Sequence, residues 1–225
     1  DGRIALTLAR AHDWGALPAF LGEEWRGPDS GATEGGWYAV AKAVSAVPVD
    51  DLIERGRLLS LAIAADRLPA KRTPGWFAID CERRAVRRSR GTRPLVVDLS
   101  ALWAGPLCAH LLGLLGARVV KVESPGRRDG ARAGNQAFFD LLNLGKSTLM
   151  LELDTMSGRA QLRRLLAQAD IVVEASRPRA LEQLGIDAAE FCAAGRALTW
   201  ISLTGHGRAA PEGDWIAFGD DAGVA

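Results

Sequence analysis

The stretch from Pro94 to Glu123, PLVVDLSALWAGPLCAHLLGLLGARVVKVE, decides the fold. Its first apolar run, residues 95–99, is short and rich in β-branched residues, which predicts a buried strand. Gly105-Pro106 then opens an apolar helix that ends at Gly116, since proline suits a first helical position and glycine a helix end. A second apolar run, residues 117–122, predicts another strand. Such a strand–helix–strand unit implies a parallel sheet that binds ligands at the carboxyl ends of its strands.

The alternation of strands and helices continues downstream of this unit. After a polar loop at 124–136, the pattern predicts a helix at 137–144, a strand at 149–153, a helix capped by Thr155 or Ser157, a strand at 171–173, one or two helices over 181–194 with a break at Gly185, and a strand at 198–203. Regular alternation of this kind is typical of a doubly wound α/β domain. Residues 94–225 are therefore predicted to form a Rossmann-like parallel sheet with flanking helices.

The upstream residues 1–82 predict a small α+β segment. The pattern indicates a strand at 4–9, a helix at 13–21, a loop at 27–36, a helix at 37–46 with Trp37, Val40, Ala41 and Val44 on one face, and a helix at 48–59. Residues 61–65 fit either a strand or the end of that last helix. The arginine-rich run at 83–93, RRAVRRSRGTR, is predicted to be a solvated linker, because charge runs usually stay in water.

Composition narrows the functional class. The formal net charge is +1, which argues against a dedicated nucleic-acid or membrane-surface protein. The arginine run is the feature that would favour nucleic acid, but it lacks interleaved aromatic residues for stacking on bases. Cys81, Cys108 and Cys192 lie far apart with no CxxC spacing, and no apolar stretch has signal-peptide or transmembrane length. These features predict a soluble cytoplasmic protein with no metal site, nucleic-acid partner or membrane partner.

The first turn after the opening strand tests for a nucleotide site. No GxGxxG follows residues 95–99, and Trp103 stands where a backbone would have to approach a pyrophosphate closely. Gly145-Lys146-Ser147 looks like the end of a phosphate-binding loop, but Asp140 occupies the position of that motif's first glycine. The sequence therefore argues against both dinucleotide and P-loop nucleotide binding.

Four stretches in order resemble the family III CoA-transferases, the group that includes formyl-CoA transferase, carnitine CoA-transferase and α-methylacyl-CoA racemase. VVDLSALWAGPLCAHLLGLLGARVVKVESPGRRD is similar to the family's opening strand, AGP turn and VIKVE strand. LLNLGKSTLMLELD, ADIVVEASRPRALEQLGID and LTWISLTGHGRAAP resemble its NRNKRSLALDL, ADVLVENFRPGVLERLGL and LVYCSISGFGQTGP segments. Each match is loose, but their order and spacing make the resemblance specific.

The resemblance implies an acyl-CoA transferase, or the CoA-binding part of one. Family members bind CoA as a substrate, hold no tightly bound cofactor, use a carboxylic acid as acceptor, and form dimers of interlocked subunits. An aspartate attacks the acyl-CoA thioester to give a mixed anhydride, and the released thiolate then forms an aspartyl-CoA thioester. Covalent catalysis splits the exchange into steps of similar energy. A non-catalytic CoA-binding or dimerisation module, and an acyl-CoA racemase, are the alternatives.

Carried over residue by residue, the family's CoA contacts are only partly kept. The resemblance places CoA-binding residues at Trp103, Ala104, Gly105, Ser124, Asn143, Lys146, Ala175, Ser176 and Arg177. Ser124 stands where relatives often have a phosphate-binding arginine, and Gln183 replaces a later arginine. Ala175-Ser176 replaces an Asn-Phe pair, whereas Lys146 and Arg177 keep their cations. A core or interface role for Trp103, and a solvated surface role for Lys146 and Arg177, compete with CoA binding.

Two alignments place the catalytic aspartate differently. In one, Gly219-Asp220-Asp221 overlies the family's GYD or GHD stretch, so that the nucleophile would lie beyond Ala225. In the other, Gly219-Asp220 is the nucleophile-bearing Gly-Asp itself, reached by a shortened loop. Asp220 and Asp221 are therefore the catalytic candidates within this sequence. Racemisation is the less favoured branch, because Asp220 replaces the GHD histidine and His206 is a weak substitute.

Residues 49–66, VDDLIERGRLLSLAIAAD, carry a further resemblance. They are similar to a segment of the type ELVERCRELGLPVAPV from the C-terminal region of the same family. A late family segment would then precede an early one. The simplest explanation is that this chain spans the junction of two CoA-transferase units fused in tandem.

Overall fold

A computed structural model describes residues 2–22, 25, 34–67, 77–79, 91–194 and 197–224. Contacts between Cα atoms divide the chain into two compact units. Unit 1 comprises residues 1–77 and 205–225, and unit 2 comprises residues 78–204. The sequence-based boundaries, 1–82, 83–93 and 94–225, stay predictions, and residues 205–225 fall on the other side of this division. Cys81 and most of the arginine run, residues 83–90, lie outside the described residues.

Unit 1 is an α+β arrangement around a two-stranded antiparallel sheet. Strand β1 (Ile4–Thr7) pairs with β2 (Ala62–Ala65), and Ile4 lies opposite Ala65. Between these strands lie α1 (Ala11–Gly15), α2 (Leu17–Leu21), α3 (Glu34–Val44) and α4 (Val49–Leu58). A cluster of buried side chains joins them: Leu8, Leu17, Phe20, Val40, Leu52, Ile53, Leu61 and Ile63.

Local chemistry sets several element boundaries in unit 1. The predicted helix at 13–21 is two helices separated at Ala16, and Pro18 stands in the first turn of α2, where a missing N–H costs no helical hydrogen bond. The carboxylate of Asp13 is buried and accepts hydrogen bonds from the Arg10 guanidinium. In α4, acidic residues occupy the first turn and Arg55 and Arg57 the last, which complements the helix dipole.

Unit 2 is a doubly wound α/β sheet. In its described residues, five parallel strands lie in the order β5-β4-β3-β6-β7. The strands are β3 (Leu95–Asp98), β4 (Arg118–Glu123), β5 (Ser147–Met150), β6 (Ile171–Glu174) and β7 (Thr199–Ser202); the helices are α5 (Ala104–Leu114), α6 (Gln136–Asn143), α7 (Met156–Leu166), α8 (Pro178–Gln183) and α9 (Ala188–Ala193). Because chain order reverses between β3 and β6, a crevice is expected at their carboxyl ends.

Alternating side chains of the central strand pack against both layers of helices. Val97 points into a core with Leu162 and Leu166 of α7, whereas Val96 packs with Ala109 of α5. A strand covered on both faces needs an uninterrupted apolar run, which is why LVV reads as continuous rather than alternating. The predicted doubly wound α/β fold, preceded by a small α+β segment, is confirmed.

Several element predictions are wrong in detail. The strand predicted at 149–153 is Ser147–Met150, because pairing with β4 starts at Ser147; Leu151 instead packs in the core after the strand has ended. Gly35 and Gly36, predicted as loop, belong to α3, and residues 27–33 lie outside the described chain. Of the four residues predicted on one face of α3, Val40 is buried and Val44 half-buried, whereas Trp37 and Ala41 are exposed. The loop at 124–136 contains a 3-10 turn at Gly130–Ala133.

Residues 62–65 form a strand, which decides between the two alternatives left open for residues 61–65. Other predictions are confirmed. The Thr155 hydroxyl accepts a hydrogen bond from Gly158 N and so caps α7. Gly116 and Gly185 adopt positive φ angles where α5 and α8 end, a conformation that glycine adopts without steric cost.

Candidate functional site

The predicted ligand-binding residues of unit 2 follow the carboxyl ends of its strands. Trp103, Ala104 and Gly105 follow β3, Ser124 follows β4, and residues 175–177 follow β6. Since β3 and β6 are neighbours at the point where strand order reverses, the first and third groups flank the expected crevice. Asn143 and Lys146 differ, because they lie at the end of α6 and in the loop that enters β5.

Trp103 is presented to solvent at the start of α5. The residue is 63% exposed, and its indole ring lies edge-on to Phe138 with 6.2 Å between ring centroids. It is the N-cap of α5 but its side chain makes no capping hydrogen bond. The first-turn N–H groups of Ala104 and Gly105 therefore lack a side-chain cap, and such groups attract anions.

The segment that joins β3 to α5, taken together with the first two residues of that helix (residues 99–105, the β3–α5 turn), has a constrained backbone. Leu102 adopts φ +69°, an unfavourable conformation for a residue with a β-carbon. A β-carbon at Gly105 would overlap the side chain of Ser100. Glycine at this position therefore allows the start of α5 to approach the end of β3 closely.

A buried ion pair lies beneath one end of this turn. Lys146 Nζ is 2.8 Å from Asp98 Oδ2, and the two side chains are 2% and 0% exposed. Lys146 also donates to Pro106 O (2.8 Å) and to Asn143 Oδ1 (3.1 Å). Asp98 accepts from both the N–H and the hydroxyl of Ser100. The pair thus links β3, α5, α6 and the turn.

A second buried ion pair lies beneath the middle of the turn. Lys121 Nζ is 2.8 Å from Asp129 Oδ2, with both side chains 1% exposed. Lys121 also donates to Ser100 O (2.9 Å), and Asp129 Oδ1 accepts from Leu102 N (2.9 Å) and Ala131 N (3.0 Å). The strained residue Leu102 is therefore fixed by a carboxylate 27 positions away in the sequence.

The surroundings shift the pKa values of two of these groups. Burial raises the pKa of Asp129, but the hydrogen bonds from Lys121, Leu102 N and Ala131 N outweigh it and leave the pKa below its usual value. Burial lowers the pKa of Lys146, and the nearby Asp98 only partly opposes it. Cys108, a free thiol on α5, has a raised pKa through burial and the negative charge of Asp98.

Positive charge follows β4, although not at the predicted position. Ser124 is buried at 9% exposure, whereas Arg127 and Arg128 are exposed in the same loop, next to the anchored Asp129. Arg132 pairs with the buried carboxylate of Glu123 at 2.9 Å and stacks over Phe139. Arg132 is also exposed but is paired with Glu123, so Arg127 and Arg128 are the exposed arginines of this loop for which the described residues show no ion pair.

The segment after β6 is short and partly exposed. Ala175 is exposed, Ser176 and Arg177 are half-buried, and Ser176 N donates to Glu174 Oε2 at 2.8 Å. Arg177 is the N-cap of α8 without a side-chain capping bond, and Pro178 begins that helix. The segment places polar backbone next to the β3–α5 turn, because β6 pairs with β3.

The predicted catalytic residues Asp220 and Asp221 lie in unit 1 rather than unit 2. Asp221 is 0% exposed; its Oδ1 accepts from Phe218 N at 2.8 Å, and its buried Oδ2 has no hydrogen-bond partner among the described residues. Asp220 is exposed, and both line a cavity of about 430 Å³ with residues 5–9 and Trp37. The sequence did not foresee this setting.

His206 lies in the same unit as these carboxylates. Burial lowers its pKa more than the nearby Asp221 raises it, and its ring lies edge-on to Trp215 at 5.4 Å. The guanidinium of Arg57 stacks on the same Trp215, 3.4 Å from the ring centroid. His206 is therefore part of an aromatic and cationic cluster and not a simple loop histidine.

Sequence reasoning missed the side chains that organise the β3–α5 turn: Asp98, Ser100, Lys121 and Asp129. A signal for two of them was present, because Asp98 and Lys121 are charged residues inside apolar strand runs. Charged residues are seldom buried unless they are paired. In the described ranges, no cluster of three or more His, Cys, Asp or Glu side chains could hold a metal, and no helix is long and apolar enough to span a membrane.

Comparison with known proteins shows the family to which most of unit 2 is similar. The profile of CoA-transferase family III matches residues 93–224. Succinyl-CoA–D-citramalate CoA-transferase of Chloroflexus aurantiacus is 36% identical over 141 residues, covering 58% of this chain and 35% of that protein. Human alpha-methylacyl-CoA racemase is 37% identical over 114 residues, covering 50% of this chain and 28% of that protein.

Solved structures give the same result. A CAIB/BAIF family protein from Brucella suis has a TM-score of 0.52 and 32% identity, covering 57% of this chain and 36% of that chain. The chain thus spans about a third of the length of the curated relatives it matches.

Proposed function

The chain belongs to CoA-transferase family III, and on this premise we propose that it is an acyl-CoA transferase, or the CoA-binding part of one. Its substrates would be an acyl-CoA thioester and an acceptor carboxylic acid. The observation that carries the proposal is the β3–α5 turn, which exposes Trp103 and Ala104, the first residue of α5, where a doubly wound fold binds ligands.

The chemistry of the turn suits CoA. The exposed indole of Trp103 offers an aromatic face for the adenine or an apolar surface for the pantetheine arm. The N–H of the exposed Ala104 at the start of α5 and the exposed guanidinium groups of Arg127 and Arg128 offer hydrogen bonds and charge for phosphates. In this proposal Arg127 or Arg128 takes the role of the phosphate-binding arginine that relatives often have at the position of Ser124. Residues 175–177 form the opposite side of the crevice.

The nucleophile would be an aspartate. Asp220 is exposed beside a cavity, so its carboxylate can meet a thioester, whereas Asp221 is buried and already bonded to Phe218 N. Attack by the carboxylate on the thioester would give a mixed anhydride and free CoA thiolate. The thiolate would then attack the aspartyl carbonyl of the anhydride, form an aspartyl-CoA thioester and release the donor acid as its carboxylate.

Calorimetry with CoA tests the binding part of the proposal. We expect CoA to bind, and Arg127→Gln to weaken binding and reduce its dependence on salt, since a lost phosphate contact removes a screened interaction. Arg164→Gln, which removes an exposed arginine from α7, is the matched control and should bind like the parent chain. Absence of CoA binding would refute the proposed site.

Mass spectrometry tests the catalytic part. The chain is incubated with succinyl-CoA and then hydroxylamine, and we expect an aspartyl hydroxamate at Asp220 that disappears in Asp220→Asn. CoA binding without any adduct would leave the second candidate, a non-catalytic CoA-binding module. The burial of Asp221 favours that candidate, because a carboxylate enclosed within unit 1 cannot attack without an opening of the loop at 218–221.

We also propose that the protein forms a homodimer and lies in the cytoplasm. A homodimer would cover exposed leucines on α5 (Leu111 and Leu114), on α6 (Leu141) and at the C-cap of α6 (Leu144). Light scattering of the purified chain, compared with Leu114→Lys, measures that association. Racemase activity is the less favoured branch: in the alignment that places Asp220 at the family's histidine position, the histidine of the racemase pair is absent, and His206 is a weak substitute.

A further inference from the structure

We propose that the two buried ion pairs, Asp98–Lys146 and Lys121–Asp129, are positioning groups that hold the β3–α5 turn in its CoA-binding conformation. That CoA is the ligand rests on the proposed function. That the two ion pairs hold the turn in its conformation rests on the contacts within unit 2 alone. None of the four side chains needs to touch CoA, because all are at most 2% exposed.

Each pair holds the backbone of this region through both of its members. From the first pair, Asp98 accepts from Ser100 N (3.0 Å) and Lys146 donates to Pro106 O (2.8 Å). From the second, Asp129 accepts from Leu102 N (2.9 Å) and Lys121 donates to Ser100 O (2.9 Å). Four backbone groups between residues 100 and 106 are therefore fixed by charged partners that water does not reach.

The contacts of Lys146 argue against its role as a phosphate ligand. An ammonium group has three N–H donors, and Lys146 Nζ has three acceptors within 3.1 Å: Asp98 Oδ2, Pro106 O and Asn143 Oδ1. No donor is left for a phosphate, and the side chain is only 2% exposed. The cation retained from the family pattern thus acts on the protein's own backbone.

The backbone itself shows why such support is needed. Leu102 at φ +69° is in a conformation that persists only when its surroundings hold it. Asp129 provides that support at Leu102 N, directly before the exposed Trp103. Release of this hydrogen bond would let Leu102 relax, and the indole and the first N–H groups of α5 would move with it.

The test combines CoA affinity with hydrogen exchange in the 225-residue chain. Lys121→Met and Lys146→Met remove one ammonium group each. Leu166→Val and Leu166→Ala are the controls: they destabilise unit 2 to a smaller and a larger extent from the amino-terminal side of the sheet, away from the β3–α5 turn. We expect each lysine variant to raise the Kd for CoA at least tenfold and to speed amide exchange in residues 99–107. A Leu166 variant with the same urea midpoint as a lysine variant should bind CoA with a Kd within twofold of the parent chain. Its amide exchange in residues 99–107 should equal that of the parent chain.

The salt dependence separates positioning from phosphate contact. Lys146→Met should leave the slope of log Kd against log KCl concentration unchanged, whereas Arg127→Gln should reduce it. A reduced slope in Lys146→Met, or an unchanged Kd in both lysine variants, would overturn the inference. If the parent chain binds no CoA, the proposed function fails, and exchange in residues 99–107 alone decides whether the lysines hold the turn.

Discussion

Replacement of Lys121 by methionine tests the buried charge network most directly. The change removes the ammonium group from a 1% exposed position and leaves a side chain of similar length. Asp129 then loses its ion-pair partner, and Ser100 O loses its donor. Breaking a buried pair from one side costs about 3–5 kcal/mol, because a charge is left uncompensated.

The structure places the expected loss at the lower end of that range. Asp129 keeps hydrogen bonds from Leu102 N and Ala131 N, which still stabilise its charge. We therefore expect Lys121→Met to lower the free energy of unfolding of unit 2 by about 3 kcal/mol. Adding Asp129→Asn should recover about 1–2 kcal/mol, since an amide oxygen can accept the same two N–H groups without a buried charge.

The change in the free energy of unfolding of unit 2 is measured by urea denaturation, with hydrogen exchange of the β3 and β4 peptides as the readout. Arg164→Gln, an exposed change on α7, serves as the control and should alter stability by less than about 0.5 kcal/mol. The reasoning fails if Lys121→Met costs less than about 1 kcal/mol, or if Asp129→Asn adds to the loss in that background instead of reducing it.

Three further predictions address the turn and unit 1. Gly105→Ala forces a methyl group against the Ser100 side chain, so thermal unfolding should show a loss of about 1–3 kcal/mol, and an unchanged melting temperature would contradict the close approach. Trp103→Ala removes an exposed ring, so calorimetry should show CoA affinity falling at least tenfold while the urea midpoint stays near that of the parent chain. Burial lowers the pKa of His206 in the folded state below 6.5, so the contribution of the neutral imidazole to stability is fully present above pH 6.5 and is lost as the pH falls toward the folded pKa. Urea unfolding at pH 7.5 and 5.5 should show this loss in the parent chain but not in His206→Gln.

The amino-acid sequence determined the architecture of unit 2. Short β-branched runs, a proline at the start of α5 and glycines at helix ends each act within a few residues, so their effect is visible in the local sequence. Strand boundaries were less visible: β5 starts at Ser147 because it pairs with β4, although the more apolar run lies further on. Pairing between strands decides such limits, and local composition does not report it.

The candidate site divides in the same way. The sequence located the β3–α5 turn and the residues around it, since the family resemblance acts on contiguous motifs. The tertiary structure decided what those residues do: Lys146 became a buried partner of Asp98, 48 positions away, and Asp129 fixed the backbone of Leu102. Burial and ion pairing depend on groups that are distant in the chain. The local sequence around a lysine in a polar loop therefore does not show whether its ammonium group is solvated or paired with a carboxylate.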